Sequence, residues 1–103
     1  MNINYIHHAI KKFIDELDLV TKTNVVKAIS LLEKFGNQIS MPISKPLGGG
    51  LFELRIQEIQ NIRIIYCFSG GEAWLLHIFN KKTNRMKNKD FYLAKQRHKL
   101  LID

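Results

Sequence analysis

Arg55 ends the stretch LGGGLFELR, Arg63 follows in IRIIYCF, and His77 sits inside WLLHIF. A guanidinium presents a planar fork of donors that matches phosphate oxygens, and histidine can carry a proton near neutral pH. Downstream comes a basic block of Lys81, Lys82, Arg85, Lys87, Lys89, Lys95, Arg97 and Lys99, opposed only by Asp90. These eight cations against one acid equal the whole net charge of +7, which arises from 16 Lys+Arg and 9 Asp+Glu. Such groups could grip a phosphodiester chain and move a proton on it. The charge alone points to an anionic partner, RNA, DNA or an acidic protein, and a solvated basic helix explains it equally well.

The elements that would position these groups can be read from periodicity. Ile6, Ile10, Phe13, Ile14 and Leu17 recur at the spacing of one helical face, and Val25, Ala28, Ile29, Leu32 and Phe35 form a second such set. Thr21 or Thr23 is the expected cap of the second helix and Gly36 its stop. The stretch NQISMPISKPLGGG, with two prolines and three glycines, reads as a loop. The period then changes to two over residues 51–57, 62–68 and 73–80, with SGGE as a hairpin turn. Helical spacing returns through Phe91, Ala94, His98 and Leu101, with Asn88 as cap.

These elements predict one α+β domain over residues 1–103: an N-terminal helical hairpin packed on a small antiparallel β-meander, followed by a C-terminal helix. The hairpin would cover one sheet face and leave the other open. Strict alternation places Phe52, Leu54 and Ile56 opposite Glu53, Arg55 and Gln57, and Ile62, Ile64, Tyr66 and Phe68 opposite Arg63, Ile65 and Cys67. In the third strand it sets Trp74, Leu76 and Ile78 against Leu75, His77 and Phe79. Arg55, Arg63 and His77 would then share the open face, with Glu53 and Phe79 nearby. A cross-strand ion pair with Glu53 is the competing reading for Arg55, and a packed histidine the competing reading for His77.

Several classes are not supported. No apolar run approaches the ~18 residues of a membrane span, and the start lacks the pattern of a secretory signal, so a cytoplasmic protein without a membrane partner is expected. The single Cys67 cannot form an internal disulfide, and no Cys/His spacing suggests a metal site. The GGG triplet lacks the lysine and hydroxyl residue of a phosphate-binding loop, and no cofactor pattern is present.

The ordered set FIDELD, LLEKFG, MPISKPLGGGLFELR, IRIIYCF, LLHIFNKKT and DFYLAKQR, from His7 to Lys99, resembles the RelE/ParE toxin superfamily in its HigB-like, phage-derived branch. The resemblance implies a RelE-like toxin of a type II toxin–antitoxin pair, an endoribonuclease (mRNA interferase) that cuts messenger RNA on the ribosome by metal-independent attack of the 2′-hydroxyl. It implies Arg63 at the scissile phosphate, Arg55 on phosphate or substrate, His77 and Tyr92 as candidates for proton transfer, and RNA binding by the loop of Lys81, Lys82, Arg85 and Lys87. No cofactor is implied, and the implied protein partner is a small helix-turn-helix antitoxin. Relatives begin with an edge strand, for which only MNINYI is available here. A ParE-like gyrase inhibitor and a non-catalytic nucleic-acid-binding remnant of the fold are the alternatives.

Overall fold

The computed structural model describes residues 1–57, 60–82 and 87–102. The chain is α+β, but a strand comes first. β1 (Ile3–Tyr5) precedes α1 (His8–Asp15) and α2 (Leu19–Phe35), and a short 3-10 turn (Gly36–Gln38) follows. Then come β2 (Ser44–Gly48), β3 (Leu51–Ile56), β4 (Ile62–Ser69), β5 (Glu72–Asn80) and α3 (Asn88–Ile102). The expected N-terminal helical hairpin with a three-stranded meander is thereby corrected to a five-stranded mixed sheet of order β1-β5-β4-β3-β2. MNINYI supplies a short strand that pairs parallel to β5, Ile3 against Ala73 through Tyr5 against Leu75. Asn2 and Asn4 reinforce it by donating to the Glu72 carboxylate at 2.9 and 3.0 Å.

The loop expected at residues 37–50 also holds a strand. β2 tolerates Pro46 because it is an edge, where a missing amide costs no interior ladder bond. At the far side of the β4–β5 hairpin, Gly70 and Gly71 both take positive φ, 62° and 77°, as the tight turn of SGGE requires. Gly36 ends α2 at φ 56°, in the left-handed region open to glycine.

The cap of α2 is Asp18, not Thr21 or Thr23. Its carboxylate accepts from the Thr21 amide at 3.0 Å, while Thr21 is buried and the Thr23 hydroxyl donates within the helix to the Leu19 carbonyl at 2.8 Å. The Thr21 hydroxyl and amide beside it hold the Asp18 carboxyl below its ordinary pKa. A carboxylate with a lowered folded pKa contributes stability above its unfolded value and loses it as pH falls through the folded one. Asp18→Ala should therefore lower the melting temperature at neutral pH and flatten its decline below about pH 4, as read by thermal denaturation across an acid series.

Each face of the sheet has its own core. Ile10, Ile14, Val25, Ala28 and Leu32 from α1 and α2 pack on Leu54, Ile56, Ile62, Ile64, Tyr66, Ala73, Leu75 and Ile78. On the other face Leu51, Ile65, Cys67, Leu76 and Phe79 meet Ala94 of α3, with Trp74, Phe91 and Leu101 at the margins. The second face is therefore not left open. Its apolar residues would lose contact and expose oily surface to water without the helix.

Strict alternation holds in β3 and β4 and fails in β5. Ile65 pairs with His77 but Tyr66 pairs with Leu75, so Leu76 is an extra residue, a β-bulge. Ala73, Leu75 and Ile78 thus face α1 and α2, whereas Trp74, Leu76, His77 and Phe79 belong to the α3 side. Among the described residues no helix is long and apolar enough to cross a membrane.

Candidate phosphate-binding site

The register lays the α3-side face out in rows. Cys67 and Trp74 pair in an apolar row under α3, with Leu51 and the bulged Leu76 in the same cluster; Glu53, Ile65 and His77 make the next row; Arg55, Arg63 and Phe79 make the third. Arg55 and Arg63 are direct cross-strand partners, and Arg63 is in turn opposite Phe79. The bulge is what allows His77 and Phe79 to stand on this face together with an inward Leu76. Their rings stack at a centroid distance of 5.5 Å.

Two like charges placed directly opposite on adjacent strands repel. Glu53 answers both. Its Oε1 lies 3.8 Å from Arg55 Nε and 3.6 Å from Arg63 Nε, so the ion-pair reading of Arg55 is realised while both guanidinia remain on one face. Glu53 and Arg63 are buried, at 3% and 4% exposure, whereas the Arg55 side chain keeps 21%. Burial pulls the Arg63 pKa down, Glu53 pushes it up, and Arg55 pulls it down again. It stays charged, as a guanidinium does in any protein setting.

One carboxylate between two guanidinia leaves an excess positive charge. Arg63 Nη1 donates to the Ile62 carbonyl at 3.2 Å, but its Nε makes no hydrogen bond among the described residues. That Nε faces Glu53 Oε1 at 3.6 Å, an ion-pair contact too long for a hydrogen bond. The arrangement is therefore chemically disposed toward an anion with several oxygens.

His77 lies one row away. Its Nε2 meets Asp90 Oδ1 at 2.7 Å, joining β5 to the first turn of α3, and Asp90 itself is buried. A carboxylate so placed selects the ring tautomer and orientation, and leaves Nδ1 as the second nitrogen. Arg97 of α3 donates to the Leu76 carbonyl at 2.7 Å, where the bulge frees a backbone acceptor. Glu53, Asp90 and Arg97 were not singled out as site residues from the chain pattern. Glu53 was foreseen as an ion-pair partner of Arg55, and Asp90 and Arg97 only as members of the charged C-terminal block.

Lys81 and Lys82 leave the third row directly after β5, Lys81 half-buried and Lys82 exposed, and Lys87 is exposed at the approach to α3. Arg85 lies outside the described residues. The structure does not bring Tyr92 to this face. It is 63% exposed on the outer side of α3, where its hydroxyl accepts from Gln96 at 3.1 Å. Cys67 is fully buried and its thiol is pushed up to about 11, which leaves little of the reactive thiolate.

The pattern of one protein family, described as phage derived protein Gp49-like (DUF891), matches residues 12–99 and so takes in every residue of the three rows. No curated protein matches the chain. With that match spanning most of its length, the chain belongs to the phage-derived Gp49-like family.

Proposed function

We propose that this protein is the toxin of a toxin–antitoxin pair and that it cleaves RNA at the Arg55–Arg63 face. The family is RelE-like and often supplies such toxins. The observation that carries the reading is the shared carboxylate: two guanidinia on one face with a single counter-charge within 3.8 Å of both. A phosphorane gains negative charge on its non-bridging oxygens as it forms, and fixed cations in a desolvated site stabilise that charge more than they stabilise the starting diester.

In the proposed step the ribose 2′-oxygen bonds to phosphorus and the bond to the 5′-oxygen breaks, giving a cyclic phosphate and a 5′-hydroxyl. His77, oriented by Asp90, takes the 2′-hydroxyl proton. The departing 5′-oxygen takes a proton from water or from the Lys81 ammonium. Arg63 and Arg55 hold the non-bridging oxygens, and Lys82 and Lys87 bind flanking phosphates. A small antitoxin would cover this cationic face, and messenger RNA on the ribosome would be the substrate.

The burial of Arg63 favours one second reading, a non-catalytic remnant that binds RNA through Arg55 and the lysines alone. Inducing the protein in a bacterial host and mapping transcript 5′ ends separates the cases. Codon-associated cuts that vanish in Arg63→Ala support the ribonuclease. Growth arrest with DNA damage and intact transcripts would instead indicate a gyrase inhibitor, and no phenotype would indicate the remnant.

A further inference from the structure

A second basic surface runs along the outside of α3, turned away from the sheet. Asp90, Phe91, Ala94, Arg97, His98 and Leu101 occupy the inward arc of the helix, and its solvent side carries Lys89, Tyr92, Lys95, Gln96 and Lys99. Tyr92, Lys95, Gln96 and Lys99 line a recess of about 330 Å³. The three lysines make no ion pair among the described residues. The only carboxylate on α3, Asp90, is turned inward onto His77. Lys95 and Lys99 stand four residues apart, a like-charge spacing that is unfavourable to a helix by itself.

Tyr92 gives the surface a character that charge alone does not. Its ring is exposed amid the lysines, and the Gln96 amide holds its hydroxyl at 3.1 Å. A flat exposed aromatic between ammonium groups fits a polymer that alternates phosphates with stackable bases. An acidic peptide would satisfy the lysines and leave the ring without a matched partner. Further lysines flank this surface in the chain: Lys81 and Lys82 directly follow β5, and Lys87 and Lys89 are exposed at the start of α3. Along the helix, Lys89 to Lys99 spans about 15 Å, the reach of a short run of nucleotides.

We infer that the outer face of α3 is a second RNA-binding surface, in which Lys89, Lys95 and Lys99 contact phosphates and the Tyr92 ring stacks on a base. It extends the RNA track beyond the residues assigned to cleavage, and it rests on the reading of RNA as the ligand. Its role is affinity and placement of the strand, not bond breaking.

The probe is a 2′-O-methylated single-stranded RNA, which retains phosphates and bases but lacks the attacking hydroxyl. Binding to the full chain is measured by fluorescence anisotropy across a salt series. The variant is Lys95→Gln/Lys99→Gln, which keeps good helix formers and removes the like-charge repulsion, so loss of folding is not the expected route to weaker binding. The double variant should bind roughly tenfold more weakly, and its slope of log K against log salt should be shallower by about 1.4, near 0.7 per lost cation. Tyr92→Ala should weaken binding with an unchanged slope, while Tyr92→Phe should retain it. An unaltered affinity and slope in the double variant would overturn the inference, as would an acidic peptide that competes with wild type and variant differently while RNA does not. The two proposals fail separately: cleavage that depends on Arg63 with no effect at Lys95 and Lys99 sinks only this one. A lysine-dependent salt slope without any cleavage of unmodified RNA sinks only the catalytic reading.

Discussion

Arg63→Ala should lower kcat for RNA cleavage by roughly 100- to 1000-fold, the size found when one preorganised donor to a developing oxyanion is removed. The loss belongs in kcat because Arg55 and the lysines would still bind the ground-state diester. Folding should survive the change. Removing Arg63 leaves Glu53 matched one-to-one with Arg55, whose guanidinium lies 3.8 Å away, so no buried charge is orphaned. Arg63→Lys tests geometry against charge: it retains the cation but not the planar fork, and it should recover only a small part of the rate. Single-turnover cleavage of a defined RNA, with circular dichroism as the folding control, reads both. An Arg63→Ala enzyme within about threefold of wild type would remove Arg63 from the chemistry, since a transition-state donor cannot be that dispensable.

Glu53→Gln should have the opposite profile, a large loss of stability. The substitution is nearly isosteric, yet it leaves Arg55 and Arg63 facing each other across adjacent strands without the carboxylate that lies within 3.8 Å of both. Breaking a buried charge cluster at the one counter-ion it has among the described residues costs about 3–5 kcal/mol. Urea denaturation should show the midpoint falling by a corresponding amount. Combining Glu53→Gln with Arg55→Gln should recover much of the loss, because the repulsion then has one member. Phosphate or sulfate should raise the melting temperature of Glu53→Gln more than that of wild type, since an anion can substitute for the missing carboxylate. A cost below about 1 kcal/mol would mean that the two guanidinia are solvated well enough to ignore one another.

These two variants separate the roles on the face. In the proposed mechanism Arg63 acts on a phosphate, and Glu53 is a positioning residue that makes the pair of arginines tolerable before substrate arrives. The arrangement keeps a net cation in a largely desolvated place, at some expense in stability. Such a conflict between folding and local electrostatics is characteristic of functional sites.

Much of this site was legible from residue order. The two-residue period of LFELR and IRIIYCF puts Arg55 and Arg63 on one side of their strands, and the pairing register sets them side by side. His77 and Phe79 reach the same face, but by a route that alternation misrepresents. Continuing the period through WLLHIF sends Trp74 and Leu76 to the helical side, whereas the bulge at Leu76 returns them to the side of α3. The strand in MPISKPLG was hidden for a related reason. Two prolines argue against a strand in the middle of a sheet, and β2 is an edge.

Residue order alone thus established the α+β class, the helical stripes of α1 and α2, the common side of Arg55 and Arg63, and a cationic C-terminal segment. Each of these is a local property, set by backbone geometry over a few residues or by composition. Tertiary structure decided that a strand leads the chain, that Leu76 bulges, that α3 closes over the apolar rows, that Asp90 finds His77, and that Tyr92 looks outward. Those outcomes depend on which distant segments come into contact, because a bulge or a docked helix is chosen by the fit of two surfaces at once and neither surface alone carries the answer.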